Sequence, residues 1–153
     1  MTTRGYKGKF TPKNPQKYIG DPNNIIYRSL LERNCMVKFD TQPNVIRWAS
    51  EEVVVKYVSP IDNKVHRYFI DFYVEYLDAN KNLIKELIEV KPYSQIKEPV
   101  KRKRQKHETY AVALATYMIN RAKWQAAQKF CEGKGIQFKL LTEKQIRPDK
   151  RDK

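Results

Sequence analysis

The feature that most constrains this chain is a pair of apolar, strand-like runs that each enclose an acid. Residues 66–77 read HRYFIDFYVEYL, residues 83–90 read LIKELIEV, and DANKN joins them. β-Branched and aromatic residues bounded by Asp, Asn and Lys predict two strands of a hairpin. Asp71 lies among Phe69, Ile70, Phe72 and Tyr73, and Glu89 lies between Ile88 and Val90. An ionised carboxylate in such a setting is costly unless it is paired or bound to a metal.

The register can be tested by arithmetic. A hairpin symmetric about Asn80 pairs residues whose numbers sum to 160, as 71 and 89 do. Asp71 then faces Glu89 with Cβ atoms roughly 5 Å apart. Lys91 shares the face of Glu89 because strand side chains alternate. A slip of one residue would turn the two acids to opposite faces. Facing carboxylates repel, which raises one pKa, and a divalent cation between them removes that penalty. All-oxygen ligation with room for water and phosphate suits Mg²⁺ or Mn²⁺. Beside such an ion a lysine can contact a phosphate, hold an attacking water or offset charge developing in the transition state. The pattern is that of hydrolytic phosphodiester chemistry, with Asp71, Glu89 and Lys91 as its candidate catalytic set. Asp62-x-Lys64 and Glu132-x-Lys134 repeat the acid-x-Lys spacing, but in a turn and at a helix end, with no opposing acid.

Glu32 is a third acid. On a helix its neighbours toward the C-terminus, Cys35 and Met36, are apolar. It therefore either points at the sheet or pairs on the surface with Arg28.

Charge indicates the partner. The 153 residues carry 31 Lys and Arg against 17 Asp and Glu, a net charge of +14, which attracts polyanions from a distance. Residues 97–106, KEPVKRKRQK, hold Lys97, Lys101, Arg102, Lys103, Arg104 and Lys106 against Glu98 alone. The first twenty residues hold five cations and no acid. Tyr6, Phe10 and Tyr18 are interleaved there and can either stack on bases or pin the segment to the domain. Phosphate contact uses this chemistry without a base-reading motif, so the favoured partner is nucleic acid, read with little sequence preference. The plain alternative is a solvated face. The longest uncharged run, residues 109–120, spans 12 residues, short of the about 20 that cross a bilayer. No apolar stretch follows the first charges as in a secretory signal, and the expectation is a chain with no membrane association. Cys35 and Cys131 stand apart without a CxxC pattern, and His66 and His107 are the only histidines, so buried or free thiols are expected and a zinc site is not.

Residues 1–22 read as an extended basic arm, 23–146 as one domain and 147–153 as a basic tail. Ile26, Leu30 and Val37, with Leu31 and Cys35 beside them, predict a helix over 24–39. Residues 53–58 predict a strand and 59–64 a turn, followed by the hairpin. Ala111, Leu114, Ala115, Met118, Ala122, Ala126 and Phe130 repeat at helical spacing over about 107–132, with Gly133 or Gly135 as the stop. A last strand, 136–141, precedes a short helix at TEKQI. Trp48 and Trp124 read as core anchors. This order implies an α/β fold, a mixed sheet flanked by helices.

Glu32 on the first helix, Asp71 in one strand and Glu89-x-Lys91 in the next resemble the PD-(D/E)XK nuclease superfamily, with Ile70 in place of the usual proline. More narrowly, Tyr27-Arg28-Ser29-x-x-Glu32, Trp48-x-Ser50-Glu51-Glu52, Tyr57-x-Ser59-Pro60, His66-Arg67-Tyr68-Phe69-x-Asp71-Phe72 and Glu89-x-Lys91-Pro92 are similar to the head completion nucleases of contractile-tailed bacteriophages. Gly8-Lys9-Phe10-x-Pro12-Lys13-Asn14-Pro15 fits as well, and the likeness runs from about residue 8 to 146. It extends more distantly to the nuclease subunit of some transposases.

The resemblance implies a restriction-endonuclease-like core with a mixed four-stranded sheet. It implies a Mg²⁺-dependent DNA endonuclease that acts on the filled phage head or on packaged DNA ends. The setting would be the host cytoplasm during assembly, or the virion head itself, with head or portal proteins as further partners. By the same likeness Asp71, Glu89 and the Val90 carbonyl would ligate the metal, and Lys91 would act at water and phosphate. Glu32 would hold a second metal or a metal-bound water. Gln95 would lend polar support and His66 would meet phosphate, although a structural role fits each of these two as well. A different class of function, a DNA-binding capping protein on a nuclease-derived fold with little catalysis, needs only the positive charge.

Overall fold

A computed structural model describes residues 7–146. In chain order the elements are β1 (Gly8–Phe10), β2 (Ile25–Tyr27), α1 (Leu30–Thr41), β3 (Val45–Ser50), β4 (Val54–Val58), β5 (Val65–Phe69), β6 (Phe72–Leu77), β7 (Leu83–Val90), α2 (His107–Cys131) and β8 (Gln137–Leu141). The central sheet has the order β3-β6-β7-β8. Its first three strands are antiparallel and β8 runs parallel to β7, so the sheet is mixed. β1–β2 and β4–β5 form separate antiparallel pairs. This is the α/β, restriction-endonuclease-like architecture expected. Among the described residues no helix is long and apolar enough to cross a membrane.

The two faces of the sheet bury different helices. Ile88 and Val90 of β7 pack with Phe72, Val74, Trp48 and with Cys35 and Met36 of α1. Leu87, one step out of phase, packs on the other face with Tyr68, Ile70 and with Trp124, Ala127 and Cys131 of α2. Alternation along one strand thus feeds two cores. Both cysteines are buried free thiols.

The hairpin of β6 and β7 has the expected register: Phe72 opposes Ile88, Tyr73 opposes Leu87, and the pairing continues to Leu77 and Leu83. Its turn is held by Asp78, whose Oδ1 accepts the N–H groups of Asn80 and Asn82 at 2.9 Å each. One expectation fails here. The run 66–77 is not one strand but two, β5 and β6, which belong to different sheets.

Other expectations also need correction. The helix assigned to 24–39 begins only at Leu30, because Ser29 caps it, its Oγ accepting Glu32 N–H at 3.1 Å. Ile25–Tyr27 is a strand paired with β1. The buried face of α1 is Cys35, Met36 and Asp40, whereas Leu30 and Val37 are exposed. Met118 likewise is 41% exposed, and α2 buries Asn120, Trp124, Ala127 and Cys131 instead. TEKQI forms a turn about Thr142, not a helix. β3, which carries Trp48, was not foreseen.

From Lys7 onward the N-terminal segment is not an extended arm. Phe10 and Tyr18 are buried against Trp48, with ring centroids 5.9 and 4.8 Å away in edge-to-face contact. Ile19 N–H bonds the Trp48 carbonyl at 2.8 Å, which covers the open edge of β3. Residues 1–6, with Arg4 and Tyr6, and the tail 147–153 lie outside the described residues.

Candidate active site

Asp71 owes its position to the break between β5 and β6. Ile70 N–H still bonds Val53 O at 3.0 Å, on the β4 side, while Phe72 already pairs with Ser50 and Ile88. Asp71 is the residue at which the chain passes from one sheet to the other. Its carbonyl accepts Glu51 N–H at 3.0 Å, and its carboxylate Oδ2 accepts Val90 N–H at 2.8 Å. The side chain thereby takes a place that a ladder partner would fill.

The facing acid is where the register puts it. Glu89 is 5% exposed and its carboxyl shares a hydrogen bond with that of Asp71. Burial first, then that hydrogen bond and the charge of Glu89, push the Asp71 carboxyl well above the usual range; the Val90 N–H opposes the shift only in part. On the far side of Glu89 the buried Tyr68 hydroxyl donates to Oε2. Burial and the Glu89 charge push the Tyr68 hydroxyl up in turn. Lys91 follows directly, half-buried, its N–H extending the parallel ladder to Leu141 O at 3.0 Å.

Glu32 comes to the site from the first turn of α1. Its Oε2 accepts Arg28 N–H at 3.1 Å, one residue before the Ser29 cap. Burial raises its carboxyl above the usual range, the Arg28 N–H lowers it, and the charges of Glu51 and Glu89 raise it further. Glu32 is thus close enough to Glu51 and Glu89 to feel their charges. The guanidinium of Arg28 goes instead to Glu51, with Nε–Oε1 at 2.8 Å and Nη2–Oε2 at 3.2 Å. Glu51 adopts φ of +57°, a left-handed conformation uncommon for residues other than glycine. Behind the acids the Cys35 thiol is pushed up to about 12, by burial above all.

Two candidates lie elsewhere. His66 sits in β5, five residues before Asp71, where it pairs with Asp62 at 2.8 Å beside the β4–β5 turn. Gln95 is exposed in a single 3-10 turn, Tyr93–Gln95. The cations Lys97, Lys101, Arg102, Lys103, Arg104 and Lys106 are all exposed on the loop that leads from this turn into α2. Lys97 and Lys144 stack on Tyr93 at 4.8 and 3.5 Å.

Residues 42–143 match the family model of the TnsA-like endonuclease N-terminal domain. The chain belongs to this endonuclease family. It is also 37% identical over 150 residues to the head completion nuclease of Enterobacteria phage T4, covering 93% of this chain and 94% of that protein. The family match contains Asp71, Glu89 and Lys91, whereas Glu32 lies upstream of it. In this endonuclease fold the chemistry open to the site is set by its donors. Among the described residues no three His, Cys, Asp or Glu side chains converge as a cage for a metal, so a cation would rest on the Asp71 and Glu89 pair supplemented by backbone and water oxygens. Such a donor set suits a hard cation that keeps several waters.

Sequence reasoning missed the bond of Tyr68 to Glu89 and the pairing of Arg28 with Glu51. A signal existed for Tyr68: a tyrosine flanked by core residues must find an acceptor for its hydroxyl. Arg28 and Glu51 are 23 residues apart in sequence, and no local pattern joins them.

Proposed function

We propose that this chain is a Mg²⁺-dependent endonuclease that hydrolyses DNA phosphodiester bonds, with Mn²⁺ able to substitute. The observation that carries this reading is the juxtaposition of the Asp71 and Glu89 carboxyl groups, one held by Val90 N–H and the other by the Tyr68 hydroxyl, at the end of a sheet and two residues before Lys91. Two carboxyls pressed together, with one raised well above its usual range, fit a cation site: a bound cation would replace their mutual repulsion by attraction. Asp71, Glu89 and the Val90 carbonyl would hold the ion. When bound it supplies Lewis acidity toward phosphate and a more acidic water.

The chain's own residues do the rest. Val90 N–H and the Tyr68 hydroxyl fix the orientation of the two carboxylates. Lys91 places a positive charge where a phosphate gains negative charge, or holds the attacking water. Glu32, with its raised proton affinity, holds a second ion or accepts a hydrogen bond from a water at the site. The loop cations grip phosphates without reading bases. The phage relative is named for head completion, and we extend that role to this chain: it would act in the host during assembly, on DNA of the filled head.

The test is direct. Purified protein should nick or linearise supercoiled plasmid with Mg²⁺ and not with EDTA. Asp71→Asn and Lys91→Ala should each slow cleavage by about 10²-fold or more, with DNA binding retained. Cleavage that survives both substitutions overturns the proposal.

A further inference from the structure

Just past Lys91 the chain builds a second feature, which the chemistry above does not use. The loop after Tyr93–Gln95 arches over the first half of α2 and leaves an open groove of about 610 Å³, within the size range of small-ligand sites. Tyr117 and Asn120 line its α2 side; Val100, Lys97 and Arg102 line the loop side. Val100 is 82% exposed, an apolar residue set among cations.

Asn120 is the telling residue. It is only 7% exposed, it lines the groove, and its side-chain amide is not among the fully buried polar atoms left without a partner, so the amide stays reachable from the open groove. An asparagine inside a helix is a poor helix former. Leucine would serve the fold better. A ligand that hydrogen-bonds the amide would account for its presence.

The other walls specify what that ligand is. Tyr117 offers an aromatic face, Val100 an apolar one, and Lys97 and Arg102 offer positive charge that outweighs the single lining acid, Glu98. Apolar faces, an amide and two cations match a base with its flanking phosphates. In fully paired duplex the base faces are covered by stacking, so the base must be unpaired. The groove begins at Ser94, three residues past Lys91, which limits the separation to about 11 Å, or roughly three nucleotide steps.

We infer that this groove takes one unpaired nucleotide of the DNA strand next to the cut, so that forked or frayed DNA is the preferred substrate class. The inference rests on the nuclease reading and adds to it the structure of the DNA recognised. The base stacks on Tyr117, its edge meets the Asn120 amide, and its phosphates lie against Lys97 and Arg102.

The experiment is fluorescence anisotropy with the full chain in EDTA, comparing a blunt duplex with the same duplex ending in a short single-stranded fork. Wild type should bind the fork at least about fivefold tighter, as expected for one stacked base. Tyr117→Ala and Asn120→Leu should each reduce that ratio toward one and leave blunt-duplex affinity unchanged. Asn120→Leu should also unfold at the same or a higher temperature. An abasic unit at the unpaired position should remove the preference in wild type and change nothing in Tyr117→Ala. A wild-type ratio of one, equal losses on both DNAs, or an Asn120→Leu protein that is less stable yet keeps its fork preference would each overturn the inference. Normal Mg²⁺-dependent nicking of plasmid together with a ratio of one would do so while sparing the nuclease reading, and would leave the groove to a protein partner. Failure to bind either DNA would overturn both.

Discussion

At the scale of single residues the site depends on two atoms that hold the facing acids: the Val90 N–H on Asp71 and the Tyr68 hydroxyl on Glu89. Tyr68 is 4% exposed and lies beneath Lys123, whose Nζ is 5.5 Å from the ring centroid. Its aromatic body belongs to the core and only its oxygen serves the site. Tyr68→Phe should therefore leave the fold intact and release one carboxylate oxygen of Glu89. Groups that orient metal ligands typically change affinity or activity by about 10–100-fold when removed. The expected result is a rise of that size in the Mg²⁺ concentration giving half-maximal plasmid nicking. An unchanged midpoint would mean that the hydroxyl only satisfies itself. The acids were legible in the sequence where Tyr68 was not, for a physical reason. Asp71 and Glu89 are related by one short turn, so their pairing is arithmetic. The bond from Tyr68 to Glu89 depends on the chain changing sheets at Ile70 and Asp71, and an uninterrupted run of apolar residues does not announce that change.

At the scale of elements, the parts that local pattern captured are the ones whose partners are near in sequence. The β6–β7 register needs only the Asp78 turn, and α2 needs only its own spacing and the glycines that follow it. Residues 8–20 are different. They contain Pro, Gly and Lys without periodicity, yet they are strapped to the domain by a distant acid. Asp40 is 2% exposed; its carboxylate accepts Lys13 N–H at 2.8 Å and Asn14 N–H at 2.9 Å, and its carbonyl accepts Asn14 Nδ2 at 2.8 Å. These bonds span 26 and 27 residues, which is why the strap read as a free arm. β3 escaped notice for a related reason, since its edge is satisfied by Tyr18 and Ile19 and not by a neighbouring hairpin. The strap gives Asp40→Ala a definite consequence. Two backbone donors lose their carboxylate acceptor at roughly 1–3 kcal/mol each, so urea unfolding should show a loss of about 2–6 kcal/mol. Trypsin should cut at Lys13 and Lys17 well before the rest of the domain. Unchanged stability and resistance at both lysines would show that Phe10 and Tyr18 hold the segment without help from Asp40.

At the scale of the whole molecule, the charges are divided by task. Acids gather where the sheets meet: Asp71, Glu89, Glu32 and Glu51 with its Arg28 partner. Five of the net fourteen positive charges lie on the exposed loop that begins a few residues past the site. On the proposed reading, a polyanion steered to that loop would arrive beside the acids, whose repulsion toward phosphate a bound cation would offset. This division can be measured without any cleavage. If about six to eight phosphates are neutralised, most of them by the loop cations, log K should fall against log salt with a slope of roughly −5 to −7 on duplex DNA. Replacing Lys101, Arg102, Lys103 and Arg104 together by alanine should reduce the slope by about 3–4, since each phosphate contact contributes close to 0.9. Affinity should drop by a similar factor on every sequence tested, because phosphate contacts carry no base information. A slope that stays the same after the fourfold replacement would move the DNA path off this loop, toward the lysines of the N-terminal strap. A slope near zero in the unaltered protein would assign the loop to a protein surface instead.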